Sequence, residues 1–310
     1  MSQSFSVLQK IVPAKLADVA KVAFAATLAL NLCVNSSLAA DPFRVKEPRN
    51  IGDKTEAAFK AVFQQGNYQA AEQYVQEALS AEPNEPLVHA LKASLAYTNK
   101  DLNTLDTYSK KTLETAQKLV DTDPLRGNLY SAVGLFLEGA VVIQREGTLS
   151  GAPQALSKLR QVYDHLDKAE AVSANDPELN LVKGYMDLML AVTLPFSNPE
   201  QAIEKLEKNA APQYLVDRGI ALAYRDLKNF PKALDYAKRS LDATPDNPES
   251  YYLKAQILRE QGKKEKNTKV MQEALENFDK ALTKKSQLPA DLVKQIERER
   301  RKTAESLAQK

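Results

Sequence analysis

The chain has 310 residues, with 42 basic and 40 acidic side chains, a near balance that makes no case for nucleic acid or a strongly acidic partner. That length allows one or two domains, or an elongated repeat array that never forms a single core. One cysteine, Cys33, and two histidines, His89 and His165, exclude an internal disulfide and leave little for a metal site.

Lys10, Lys15 and Lys21 precede the apolar run VAFAATLALNLCV at 22–34, and the small residues Ser37, Ala39 and Ala40 follow it. Positive end, apolar centre and small-residue exit are the parts of a secretory signal. The expectation is a signal peptide over 1–40 and an exported protein, in the periplasm or thylakoid lumen. An uncleaved N-terminal membrane anchor is the alternative, although the apolar core falls short of the ~20 residues that span a bilayer. Without 1–40 the chain keeps 39 basic and 39 acidic residues and no cysteine. Residues 41–52, DPFRVKEPRNIG, read as an extended lead.

Helical patterning begins at Lys54. Ala58, Phe59 and Val62 share one face, and Gly66 ends that helix. Tyr68, Ala71, Tyr74, Val75 and Ala78 give a second helix its apolar side, and Pro83 stops it. Helices over 87–97 and 102–120 follow, closed by DTDP at 121–124. The next stretch, 125–147, is long and apolar, with Gly134 and Gly139 inside it. Glycine costs about 0.8–1 kcal/mol in a helix interior relative to alanine, so close contact with a neighbouring helix is expected, or else a kink or groove. Its partner spans 152–173 and stops before NDP at 175–177; a further pair covers 178–192 and 199–209.

From Pro212, Ile220, Ala221 and Tyr224 face inward on one helix, and Phe230, Ala233, Ala237 and Leu241 on the next, which Pro245 stops. A third clear copy starts near Pro248 with Tyr251, Ala255, Leu258 and Gly262. After the insertion KKEKNTK it continues with Ala274, Phe278 and Ala281. The tail from Ala290 reads as one helix, with Leu292, Val293 and Ile296 covering the last hairpin.

Gly66, Tyr68, Ala71, Ala78 and Pro83 are echoed in spacing by Tyr224, Phe230, Ala233 and Pro245. This pattern resembles the tetratricopeptide repeat, a 34-residue helix–turn–helix unit. Small residues such as Ala71, Ala233 and Ala274 suit the close crossing of two helices, and the aromatics fill the wedge left elsewhere. No hairpin buries its apolar side alone, so neighbours must stack. The resemblance implies an all-α fold, a right-handed superhelical solenoid of antiparallel helix pairs with a C-terminal capping helix. It would occupy 53–310 as one domain, with clear repeats at about 52–85, 214–247 and 248–288, looser hairpins over 86–213 and a cap over 289–310. The layout also resembles exported tetratricopeptide proteins of photosynthetic bacteria.

No HExxH, and no glycine-rich phosphate loop after a strand, occurs in the chain. No catalytic residue, cofactor or metal is therefore assigned, and enzyme activity is not expected. The resemblance implies that the first helix of each pair lines a concave surface that binds protein or peptide. Leu215, Arg218, Leu222 and Arg225 form a stripe on one such helix, and Tyr252, Gln256 and Arg259 repeat it on the next. Arginines and a tyrosine there would suit an acidic, carboxylate-bearing segment; otherwise the arginines solvate an outer surface. From Lys263 onward the chain carries 13 basic and 8 acidic residues, and the RERRK cluster at 298–302 suits peripheral contact with an anionic membrane surface. The expectation is an exported, non-enzymatic scaffold for envelope or membrane-associated complexes. The alternatives are a structural spacer or oligomerising protein, and an apolar-ligand binder using the 125–147 helix region. Oligomeric state is open.

Overall fold

The structure is a computed structural model that describes residues 41–44, 46–193 and 199–309. The expected signal segment lies outside the described residues, as does the connection over 194–198. Among the described residues the regular structure is helical and no helix is long and apolar enough to cross a membrane.

Among the described residues twelve α-helices follow in order. They are α1 (Asp53–Phe59, continued by a wider π turn, Lys60–Gln64), α2 (Tyr68–Ala81), α3 (Pro86–Thr98) and α4 (Leu102–Leu119). Then come α5 (Pro124–Val172), α6 (Pro177–Thr193), α7 (Pro199–Asn209) and α8 (Gln213–Asp226). The last are α9 (Phe230–Ala243), α10 (Pro248–Glu265), α11 (Thr268–Leu282) and α12 (Ala290–Ala308). Neighbours pair as antiparallel hairpins, α1 with α2 through α10 with α11, and α12 packs on α11. The result is an all-α, solenoid-like stack of helix pairs ended by a single helix.

The helix starts follow from local chemistry. Glu85, Asp123, Asp176 and Asn247 each stand before a proline, at Pro86, Pro124, Pro177 and Pro248. Their side chains accept hydrogen bonds from first-turn backbone N–H groups at 2.9–3.0 Å. The proline fits because its position needs no N–H and its φ is already helical. The turn between paired helices is equally regular. Gly66, Lys100, Lys228 and Lys266 all have φ of 52–61°, and each precedes the capping residue of the next helix, Asn67, Asp101, Asn229 or Asn267. Lysine thus holds in three turns a left-handed conformation that favours glycine. In the third clear copy the turn residue is Lys266, not Gly262. The insertion lengthens α10 to 18 residues, against 14 in α8, about one added turn.

Packing follows the expected pattern of sizes. Ala58, Phe59, Ala71, Ala78, Ala233, Ala274, Phe278 and Ala281 are essentially inaccessible, and Tyr224 and Phe230 nearly so. Tyr251 is half-buried against the C-terminal cluster. Each large apolar side chain removed from water contributes about 1.5–3 kcal/mol. Ser240, which stands where the other copy has an alanine, is buried and donates to the Tyr214 carbonyl at 2.8 Å. Tyr74, expected on the buried face, is exposed instead.

The long apolar segment bends back on itself. Gly147 takes φ 77°, ψ 166° inside α5 and divides it into two arms, 124–146 and 148–172. Asn128 meets His165, Glu138 meets Lys158, and Gly151 lies against Val142, so the arms run antiparallel. Gly134 is there for close approach, since a Cβ would stand 2.8 Å from the backbone nitrogen of Leu113. Gly139 has no such constraint; a Cβ would be 3.8 Å from its nearest neighbour.

The described residues of the 41–52 lead, none of them helical, pack onto the stack. Phe43 packs edge-on against Phe59, with ring centroids 5.5 Å apart, and Ile51 is inaccessible. Arg44 pairs with Asp41, Asp176 and Glu178, and Arg49 with Asp123 and Asp176. The segment therefore lies across the starts of α5 and α6. Beneath it Arg126 makes a two-pronged pair with Glu85, at 3.0 and 2.6 Å, and Tyr130 donates to Glu178 at 2.6 Å. Burial pushes the Glu178 carboxyl above its usual range, and Arg126 and Arg44 work against that shift.

Candidate functional site

The first and last hairpins meet. The Asn247 amide donates to the Phe63 carbonyl at 3.0 Å, and the Tyr68 hydroxyl to Glu249 at 2.7 Å. Arg218 reaches the other Glu249 oxygen at 2.5 Å, while Lys100 pairs with Asp291. Gly66 makes the approach possible, because a Cβ there would stand 2.5 Å from the Asn247 side-chain oxygen. The stack thus curls until its ends touch, around a cavity of about 1830 Å³.

One wall comes from the stripe read in the sequence. Arg218, Leu222, Arg225, Tyr252, Gln256 and Arg259 all line the cavity. Leu215 does not: it is fully buried in the core, and its carbonyl accepts the Tyr185 hydroxyl. Counting from Arg218, the same face of the helix reaches Leu215 only where α8 is already packed against its neighbours. Arg218 itself is 8 % exposed. Burial works against its charge, but Glu249, Tyr68 and Tyr185 outweigh that and raise its pKa.

The remaining polar stripe residues are joined to one another. Arg225 donates to the Gln256 amide oxygen at 2.9 Å. The amide nitrogen of Gln256, the Tyr252 hydroxyl and the Arg259 guanidinium all point to the carboxylate of Glu299 on α12. The opposite wall holds Val62, Phe63, Tyr68 and Tyr97, and the α12 residues Arg298, Glu299 and Arg301; the sequence marked Val62 and Tyr68 only for packing and 298–302 only as a basic cluster, not as parts of one cavity. The α1–α2 and α12 residues are far apart in the chain and converge because the stack closes. Ten basic and six acidic side chains line the cavity, so its charge favours an anionic occupant.

The histidines stand apart from this cavity. His89 is buried beside Tyr108, and its Nε2 bonds the Pro83 carbonyl at 2.8 Å. Nδ1 of His165 bonds Asn128 at 2.9 Å. Burial lowers the pKa of both. Among the described residues no group of three or more histidine, cysteine, aspartate or glutamate side chains is arranged to hold a metal ion. The apolar 124–146 arm is mostly consumed in packing, while Leu149 and Leu156, beyond the Gly147 bend, are exposed.

Residues 56–103 and 218–281 match the family model of the tetratricopeptide repeat. A comparison with curated proteins finds no match. The two matched stretches hold both sides of the closure, and repeats of this kind are generally non-catalytic scaffolds for protein contacts. Within the stack from α1 to α11, the chain thus carries tetratricopeptide repeats over residues 56–103 and 218–281.

Proposed function

We propose that this protein is an exported, non-enzymatic scaffold that takes an acidic segment of a partner protein into its central cavity, in the assembly of envelope or membrane-associated complexes. The cavity carries the reading. Its volume of about 1830 Å³ exceeds the ~300–1,000 Å³ usual for small-molecule sites, and its wall holds more cations than anions. Export is supported by the lysines, apolar run and small residues of 1–40, and places the protein in the periplasm or thylakoid lumen.

The test is site-specific photocrosslinking in the native cell. Leu222→benzoylphenylalanine faces the cavity, and Leu149→benzoylphenylalanine, 71 % exposed beyond the Gly147 bend, serves as the outer control. A discrete partner captured from Leu222 alone supports the scaffold. Capture from Leu149 alone overturns it, and favours the second reading, an oligomerising or spacer protein that makes contact through exposed Leu149 and Leu156.

A further inference from the structure

Four donors converge on the Glu299 carboxylate. The Tyr252 hydroxyl lies at 3.0 Å, Arg259 Nη1 at 2.9 Å, and the Gln256 and Gln295 amide nitrogens at 3.3 Å each. Three of these donors belong to α10 and only Gln295 to Glu299's own helix, so α10 presents most of the receptor whether or not Glu299 fills it. The receptor is also oriented in advance. Arg225 holds the Gln256 amide oxygen at 2.9 Å, which turns the amide nitrogen toward the carboxylate.

Glu299 is not what holds α12 in place. Ile296 and Thr303 are inaccessible, and Arg300 pairs with Asp279 on α11. Its side chain can therefore swing away while the helix remains docked. Arg259 keeps a second carboxylate at Glu260, so it is not stranded when Glu299 leaves. Arg298 and Arg301 line the same cavity and are exposed; they add to a cation excess that Glu299 alone does not neutralise.

We propose that Tyr252, Gln256 and Arg259 form a carboxylate subsite of the cavity, held in the free protein by Glu299 and taken by an aspartate or glutamate of the bound segment. The inference rests on the reading of the cavity as a protein-binding groove and specifies its chemistry. Charge-assisted bonds from a fixed guanidinium, a phenol and an amide are the recognition that a carboxylate requires. An internal competitor lowers the apparent affinity by the fraction of protein whose subsite is free.

The probe is a fluorescein-labelled octaglutamate peptide, followed by anisotropy against the purified full chain, with octalysine as the control. Glu299→Gln is expected to bind octaglutamate at least ~3-fold tighter than the wild type. Arg259→Gln is expected to bind it about 10-fold more weakly, a loss in the range of one charge-assisted hydrogen bond. Cooperative thermal melting by circular dichroism, checked for each variant, separates these effects from unfolding. Arg298→Gln with Arg301→Gln, both on the wet face of α12, should weaken binding without altering the melt.

Unchanged or weaker binding by Glu299→Gln overturns the subsite, as does failure of octaglutamate to bind either the wild type or Glu299→Gln. If Leu222 photocrosslinking still captures a partner in that case, the scaffold stands and only the subsite is lost. If Leu222 captures nothing, the scaffold has failed as well.

Discussion

Asn247 and Phe63, 184 positions apart in the chain, are joined by a hydrogen bond of 3.0 Å from a side-chain amide to a backbone carbonyl. Asn247 is almost fully buried, and its side-chain oxygen also caps α10 by accepting from Glu249 N at 2.9 Å. One side chain thus starts a helix and ties the two ends of the stack together.

Asn247→Ala removes both bonds and leaves the Phe63 carbonyl without its partner. The expected loss is about 2–3 kcal/mol, the sum of a helix cap and a buried hydrogen bond, read by urea denaturation. The radius of gyration by small-angle X-ray scattering should rise as the ends separate. Gly66→Ala should open the same contact by another route, through a strained φ and a clash with the Asn247 oxygen.

Arg126 lies between Glu85 and Glu178, with its charge out of water. Arg126→Met leaves two buried carboxylates short of a cation. A loss of about 3–5 kcal/mol is expected, since breaking one side of a buried pair strands the other. Equilibrium unfolding in guanidinium chloride measures it, and a loss under 1 kcal/mol would contradict this account.

The two glycines of the first α5 arm should respond in opposite directions. Gly134→Ala must push the backbone of α4 away at Leu113 and should destabilise. Gly139→Ala finds only ordinary contact with Lys158, so better helix propensity should stabilise by up to ~1 kcal/mol. Thermal melts of the two variants decide the matter.

His89 is held neutral by burial, its folded pKa below the ordinary value of 6.5. The unfolded chain then binds the proton more readily, so this residue's stabilisation is complete above pH 6.5 and is lost as pH falls toward the folded pKa. His165 has the same sign. Glu178, Asp187 and Asp217, raised by burial, act in the opposite sense, because the folded state holds their protons more tightly. Stability measured against pH for the wild type and His89→Gln isolates the histidine contribution. The wild type should lose more stability below pH 6.5 than the variant.

Much of this fold was legible in local chemistry. An Asx or Glu residue before proline starts α3, α5, α6 and α10, because capping and φ restriction involve only adjacent residues. Alanines and aromatics at helical spacing marked the buried faces for the same reason. The stripe of Arg218, Leu222, Arg225, Tyr252, Gln256 and Arg259 reached the cavity wall because a helix repeats its faces over a few residues. Leu215, one turn earlier, fell into the core, and Tyr74 fell outside it, because burial depends on what packs alongside.

Local spacing therefore determined where helices begin, how they pair and which small residues let them touch. Tertiary structure alone decided that the ends of the stack meet, that Arg44 and Arg49 bind across distant turns, and that Glu299 fills a receptor on α10. Closure sums small rotations over six successive hairpins, and no single hairpin records the total. A partner 184 positions away is selected by that accumulated geometry rather than by any neighbouring residue.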